Sequence, residues 1–259
     1  MFTDTKAISV IKFGGTSMQS TVTRQAVISV IKSHIKSGKK VIAVVSAEAG
    51  ETDRLYSFAK AQYITTQAEI ALIVATGEMK SASLLSAGLM NQHVTVSALQ
   101  VWQIPFMVHE NKHKPLAFSI NKDFIYQQFE SVDVCVIPGF QGVNAKGEIT
   151  LLSRGGSDLT AVALADLLAL EKCTLYKDVD GVFNKHPEKK DALLINTLSY
   201  DQMLQLARCG AGIVQEKAIQ YAKDKRIEIG IANTFTGVTG SLISTHQSAF
   251  LSSGRSLVY

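Results

Sequence analysis

Apolar residues fall along this chain in short β-branched runs separated by longer segments of mixed polarity, the alternation expected of an α/β protein. Residues 7–13 (AISVIKF) predict a strand that stops at Gly14-Gly15, and the segment after Thr16-Ser17 predicts a helix to about Lys36. Residues 40–46 (KVIAVVS) form the continuous apolar run of a central parallel strand covered on both faces. Over residues 76–90, Met79, Leu84, Leu85 and Leu89 recur near helical spacing, ahead of the strand-like Val94-Thr95-Val96. Between about 100 and 130 the periodicity fades; Pro105, Pro115 and scattered aromatics predict short strands and loops, an excursion over one edge that could act as a lid. Residues 132–138 predict another buried strand, followed by a hairpin through Asn144-Ala145-Lys146-Gly147. The Ala/Leu-rich residues 159–170 are apolar nearly all round, which predicts a deeply buried helix. Strands at 173–177 and 227–232, a turn-rich stretch at 178–190, and helices at 199–208 and 212–222 complete the pattern. The expected fold is a three-layer αβα sandwich with a mostly parallel central sheet, with an N-terminal lobe over 1–170 and a C-terminal lobe over 171–259.

Composition narrows the class. The 259 residues are 46% hydrophobic and 19% charged with 4 prolines, enough for a large core and too few prolines for extended disorder. The net charge of +4 favours small anions but falls short of the basic footprint of a nucleic-acid binder, so no nucleic-acid partner is expected. Cys135, Cys173 and Cys209 are odd in number and far apart, which predicts reduced, buried thiols. Residues 1–10 include Asp4 and lack an unbroken apolar core, and no stretch reaches 18 apolar residues, so a cytoplasmic protein without a membrane partner is expected. Enzymes of this size commonly form homo-oligomers, and one is expected here.

Candidate chemistry gathers at two glycine turns. At Gly14-Gly15-Thr16-Ser17 and Gly155-Gly156-Ser157, paired glycines let the backbone approach a ligand, and the following helix turns free N–H groups and its positive dipole end toward it. Lys12, Arg154 and Asp158 flank these turns, so each is a potential phosphate cradle. No G-x-x-x-x-G-K-[ST] and no G-x-G-x-x-G occurs, which disfavours P-loop and dinucleotide-binding readings. His109-Glu110-Asn111-Lys112-His113 matches the zinc pattern H-E-x-x-H, but Pro105 and Pro115 bracket it and no helical periodicity supports it, so no protein-held metal is expected.

Seven ordered segments resemble the aspartokinases of the amino acid kinase family: Lys12-Phe-Gly-Gly-Thr-Ser17, Val45-Ser-Ala-Glu-Ala-Gly-Glu-Thr52, Thr76-Gly-Glu78, Gly139-Phe-Gln-Gly142, Ser153-Arg-Gly-Gly-Ser-Asp158, Asp178-Val-Asp-Gly181 and Asn233-Thr-Phe235. The resemblance implies the amino acid kinase (carbamate kinase-like) fold and ATP- and Mg2+-dependent phosphorylation of the side-chain carboxylate of L-aspartate. It implies that Lys12 relieves repulsion between the reacting anions and that Asp158 orients it. On the substrate side it implies Arg154 as a carboxylate clamp, Glu78 as the partner of the α-ammonium, and Ser46, Thr52, Gly156 and Ser157 as further contacts. On the nucleotide side it implies Gly14, Gly15, Thr16, Ser17, Asp178, Lys185 and, beside the base, Phe183. Glu78 and Asp158 each also fit a plainer role, a carboxylate at a helix N-terminus stabilising the dipole.

The chain departs from the family in two places. Glu188, in His186-Pro187-Glu188, stands where the family has a phosphate-binding arginine, and Gly210-Ala211-Gly212 followed by Gln215-Glu216 stands where it has Gly-Ala-Lys and a His-Pro pair. Each lost charge-assisted contact is worth roughly 1.5–3 kcal/mol. Lys185, Lys189, Lys190 and Lys217 are near enough in sequence to substitute. The resemblance also implies that the regulatory domains longer aspartokinases attach after the Asn233-Thr-Phe235 strand are missing from this polypeptide. A kinase for another acidic amino acid or a phosphonate, and an amino-acid-binding protein without catalysis, stay open as alternatives.

Overall fold

The computed structural model describes residues 8–111, 114–153, 155–185 and 188–245. Strand β1 (Ile8–Phe13) passes through Gly14 into the short α1 (Gly15–Met18) and then α2 (Thr21–Lys36). Ser20 starts α2 with a capping box: its hydroxyl accepts the Thr23 N–H at 3.1 Å, and Thr23 Oγ1 accepts the Ser20 N–H at 3.0 Å. β2 (Lys40–Val45), α3 (Glu51–Ala61), α4 (Gln67–Met90) and β3 (Val96–Ala98) follow. The excursion is a hairpin of β4 (Met107–Asn111) and β5 (Lys114–Ser119) with α5 (Lys122–Gln128). β6 (Val134–Pro138), β7 (Gln141–Val143) and β8 (Ile149–Leu151) lead to α6 (Gly156–Leu167). β9 (Lys172–Lys177), β10 (Val182–Phe183), β11 (Leu194–Ile195), β12 (Thr197–Ser199), α7 (Tyr200–Arg208), α8 (Glu216–Lys225), β13 (Glu228–Asn233) and β14 (Thr239–Ser244) complete the described chain.

Eight strands form one sheet in the order β12-β14-β13-β9-β1-β2-β6-β3, parallel throughout except for the β13–β14 pair. β1 is therefore the seam: β2, β6 and β3 extend the sheet to one side, and β9 with the later strands extends it to the other. The predicted αβα sandwich is the observed one. Side chains alternate across the sheet, so Val10, Ile42, Val44, Cys135, Ile137, Cys173 and Leu175 enter the core layer that also holds Leu159, Val162 and Ala163 of α6. Ile11, Phe13, Val41, Ala43 and Val45 enter the opposite layer with Val27 and Ile31 of α2 and Leu85 and Leu89 of α4.

Several expectations need correction. α4 begins at Gln67, well before residue 76; it is long and apolar enough by length and composition to cross a membrane, but half of that window is buried inside the fold, where the helix packs on α2, α3, β6 and β8. α8 begins at Glu216 rather than 212, because the Ala211 N–H closes α7 by bonding Leu206 O at 3.0 Å and Gln215 keeps extended backbone as the N-cap. Cys135 and Cys173 are buried, but Cys209 is exposed just past α7. The excursion joins β7 and β8 in a second sheet, β5-β4-β7-β8, and Phe118 packs on Phe106 at 5.1 Å and on Tyr221 of α8 at 5.4 Å. It is an anchored sheet rather than a loose lid. His109 lies in β4 and its Nε2 is 2.9 Å from Ser119 Oγ, so the H-E-x-x-H segment is strand rather than helix through Asn111; His113 lies outside the described residues.

Gly139, after β6, lets the sheet end close on α6: a Cβ there would stand 2.7 Å from Ser157 Cβ. Gly139→Ala is expected to destabilise the protein by about 1–3 kcal/mol through overpacking. Gly212→Ala, where a Cβ meets nothing within 4 Å, is expected to leave the thermal midpoint unchanged. Equal melting of the two variants would show the Gly139 contact to be slack.

Candidate active site

The period of a strand selects the central charges. Lys12 follows Val10 on the face of β1 that α6 covers, and Lys177 follows Cys173 and Leu175 on the same face of the neighbouring β9. From the first turn of α6, Asp158 meets both. Lys12 Nζ lies 2.7 Å from Asp158 Oδ1, and Lys177 Nζ lies 2.9 Å from Oδ2 and 3.1 Å from Oδ1. Their side chains are 6% (Lys12), 4% (Asp158) and 15% (Lys177) exposed, so this is a buried ion cluster whose most open member is Lys177. Burial alone would raise the Asp158 carboxyl, but the two ammoniums outweigh it and hold it at about 2. Burial, helped by the Lys177 charge, pulls Lys12 down to about 8 against the opposing effect of Asp158.

Beside this cluster is a cavity of about 240 Å³. Its walls bring together Gly15, Ser46, Thr52, Glu78, Gly156 and Ser157, six residues expected on sequence grounds at ligand-facing positions. The loops after β1 and β2 cross closely to build it: Ser46 N–H donates to Phe13 O at 3.2 Å and Ala49 N–H to Gly15 O at 3.2 Å. A Cβ on Gly15 would fall 2.8 Å from Ala47 O, so only glycine permits the crossing. A Cβ on Gly14 would stand 3.9 Å from Lys12 Nζ, which places the ammonium just beneath the glycine turn. At the rim, Glu48 accepts from Lys80 at 2.9 Å and from Arg24 at 3.4 Å.

Glu78 projects from the middle of α4, not from its N-terminus, which removes the dipole role as its explanation. Oε1 accepts the Ala47 N–H at 3.2 Å, while Oε2 is buried without a partner among the described residues. Burial raises its pKa to about 7, over the smaller opposing effects of the Ala47 N–H and the Lys12 charge. A buried carboxylate with one unfilled oxygen, on a side chain that lines the cavity, is suited to a cationic group.

The remaining candidates scatter. Thr16 is exposed on α1, and the Ser17 hydroxyl is engaged with Thr234 Oγ1 at 2.9 Å. Asp178 is exposed just past β9, Phe183 is half-buried in β10, and the Lys185 ammonium is paired with Asp191. Arg154, His186 and Pro187 lie outside the described residues. Gln215, at a position where the sequence departs from the family pattern, donates to Ser153 Oγ at 2.5 Å and packs beside Gly155, whose φ of +78° is the left-handed start of α6. Lys177 escaped the sequence reading: the alternation Cys173, Leu175, Lys177 is visible in the sequence, but only the pairing of β9 with β1 puts it on the same face as Val10 and Lys12.

The model described as "Amino acid kinase family" matches residues 7–233. The aspartokinase of Geobacillus stearothermophilus is 35% identical over 243 residues, covering 93% of this chain and 60% of the relative, so the chain spans about three-fifths of the length of that curated relative. Among solved structures, the aspartate kinase from Synechocystis superposes with a TM-score of 0.79 at 30% identity over 93% of this chain and 41% of that one. The aspartokinase III of E. coli, in complex with aspartate and ADP, is alike in fold, with a TM-score of 0.78 at 20% identity over 93% of this chain and 65% of that one.

The raised pKa of Glu78 has a stability consequence. A carboxyl that holds its proton more tightly when folded contributes stability below its unfolded pKa, and that stability is lost as pH rises through about 7. Glu78→Gln, permanently neutral, is therefore expected to melt progressively higher than wild type between pH 5 and pH 8. A difference in thermal midpoint that stays flat across this range would mean that Glu78 is not strained in its charged form.

Proposed function

Because the chain belongs to the amino acid kinase family, we propose that it transfers the γ-phosphoryl group of ATP to the side-chain carboxylate of L-aspartate. The observation that carries this reading is the buried Lys12–Asp158 pair at 2.7 Å, set under a glycine turn beside a cavity that holds Glu78 with one oxygen unfilled. The aspartokinases above support the choice of substrate, and the E. coli enzyme solved with aspartate and ADP supports the pairing of an amino acid with a nucleotide.

The reaction needs no general base, because the attacking group is already an anion. An aspartate carboxylate oxygen forms a bond to the γ-phosphorus while the bond to the β,γ-bridging oxygen breaks, and ADP leaves with the electron pair. The obstacle is repulsion between two anions, and the ammonium of Lys12 would lower it where they meet. Asp158 would hold that ammonium in place and favour its charged form. In the cavity, Glu78 Oε2 would take the α-ammonium, Ser46, Thr52, Gly156 and Ser157 would contact the rest of the amino acid, and Arg154 would grip a carboxylate with its planar fork. Gly14, Gly15, Thr16 and Ser17, with Asp178, Phe183 and Lys185, would form the nucleotide side; apart from that first glycine turn, residues 1–170 would serve mainly the amino acid, and 171–259 would serve mainly ATP. Mg2+ would enter as part of the Mg-ATP substrate. The free thiols fit a cytoplasmic setting.

Purified protein given aspartate, Mg-ATP and hydroxylamine is expected to yield aspartyl hydroxamate. Lys12→Met should lower kcat by about 10²–10³-fold, the typical loss on removing one preorganised charge stabiliser, with a smaller change in KM for aspartate. Rates should fall on the alkaline side as Lys12, near pKa 8 before substrates bind, loses its proton. No hydroxamate under conditions where a known aspartokinase gives it would overturn the proposal, and ADP release with a different acidic amino acid would redirect it to that substrate.

A further inference from the structure

The departures at Glu188 and Gly212 leave the resemblance short of two phosphate-binding cations, and the structure shows which lysines could replace them. Lys185 is tied to Asp191 within the β10–β11 segment. Lys189, Lys190 and Lys217 are exposed. Gly212 is itself exposed, with nothing within 4 Å of where a Cβ would stand. Lys177 differs from all of these: it is half-buried, its ammonium bonds both oxygens of Asp158, and its carbonyl is fixed by the Thr234 N–H at 2.8 Å.

Resting on the kinase reading above, we propose that Lys177 is a second catalytic ammonium, which with Lys12 holds the transferring phosphoryl group and takes over the charge missing at Gly212. Position supports this. Lys177 ends β9 and opens the turn Lys177-Asp178-Val179-Asp180-Gly181, so it stands between the nucleotide-side turn and Lys12 on the adjacent strand. Charge supports it too. One carboxylate faces two ammoniums, which leaves the trio one positive charge in excess in a setting where excess charge is costly, and a phosphoryl oxygen would balance it. Because Lys177 is the most open of the three, an anion can reach it without breaking the Lys12–Asp158 contact. Two ammoniums on one carboxylate also fix the distance between the cations, which suits a group whose charge is spread over three equatorial oxygens.

The test separates this role from a structural one by comparing two nucleotides. Wild type, Lys177→Met and Lys177→Gln are titrated calorimetrically with Mg-ADP and with the Mg complex of the β,γ-imido analogue of ATP. Loss of a γ-phosphoryl contact is expected to weaken the triphosphate analogue by about tenfold to a hundredfold in both variants, while Mg-ADP affinity stays within about twofold. In the hydroxamate assay kcat is expected to fall by about 10²-fold or more with KM for aspartate nearly unchanged. Lys217→Met is expected to change neither measurement. Lys177→Met leaves the neutral Lys12–Asp158 pair in place, and should it melt too low for titration, Lys177→Gln keeps a donor toward Asp158 and carries the comparison. Equal weakening of both nucleotides, or of neither, would overturn the proposal. Hydroxamate formation at the wild-type rate in Lys177→Met would overturn it while leaving the kinase reading standing. A wild-type protein that prefers the triphosphate through Lys177 but forms no hydroxamate would instead overturn the choice of aspartate.

Discussion

One carboxylate, Asp158, carries two ammoniums in a largely buried cluster that only Lys177 opens toward water, and much of the architecture serves to make that arrangement tolerable. Three elements must converge for it: the end of β1, the end of the adjacent parallel β9, and the first turn of α6, which covers both. Such a cluster is a poor device for stability, since a well-packed apolar trio of similar volume would serve as well or better. On the kinase reading proposed above, its value would lie in a fixed positive field prepared in advance of the ligand. Such a field would cost no reorganisation if a phosphoryl group entered, and this is the form in which protein charges lower barriers most effectively.

The neighbouring cavity shows the complementary strain. Burial disfavours the charged forms of Lys12 and Glu78 alike, and each sits beside backbone that glycine allows to come unusually close. A zwitterionic amino acid and a polyphosphate would together supply what both lack: an ammonium for Glu78 and anionic oxygens for the lysines. Two mismatches of opposite sign thus stand side by side, and on the proposed reading binding would cancel them.

Much of this was legible in the sequence. The αβα class and the parallel strands follow from local pattern and from the family resemblance, and one cavity is lined by five residues expected on the substrate side, Ser46, Thr52, Glu78, Gly156 and Ser157, together with Gly15, expected on the nucleotide side. Lys177 was not found, because glycine turns and basic flanks were read one segment at a time, whereas its meaning depends on β9 lying beside β1. Strand order is set by crossovers far apart in sequence and leaves no local trace. The start of α4 was placed late because residues 67–75 are apolar on nearly every face, which blurs the helical period that marks a boundary. The start of α8 was placed early because an Ala-Gly stretch carries little information about where a helix begins.

The seam position of β1 has a kinetic side. Its partner on one flank, β2, follows within about thirty residues, but its partner on the other, β9, is separated from it by most of the chain. During synthesis one flank of β1 stays an open edge until residues beyond 170 have emerged, and closing so long a loop is slow compared with forming local contacts. An unprotected apolar strand edge is also where nascent chains associate wrongly. Formation of the Lys12–Asp158–Lys177 cluster is therefore bound to a late long-range step of assembly, and a chaperone that shields the β1 edge would influence how much folded protein accumulates more than how stable that protein is once made.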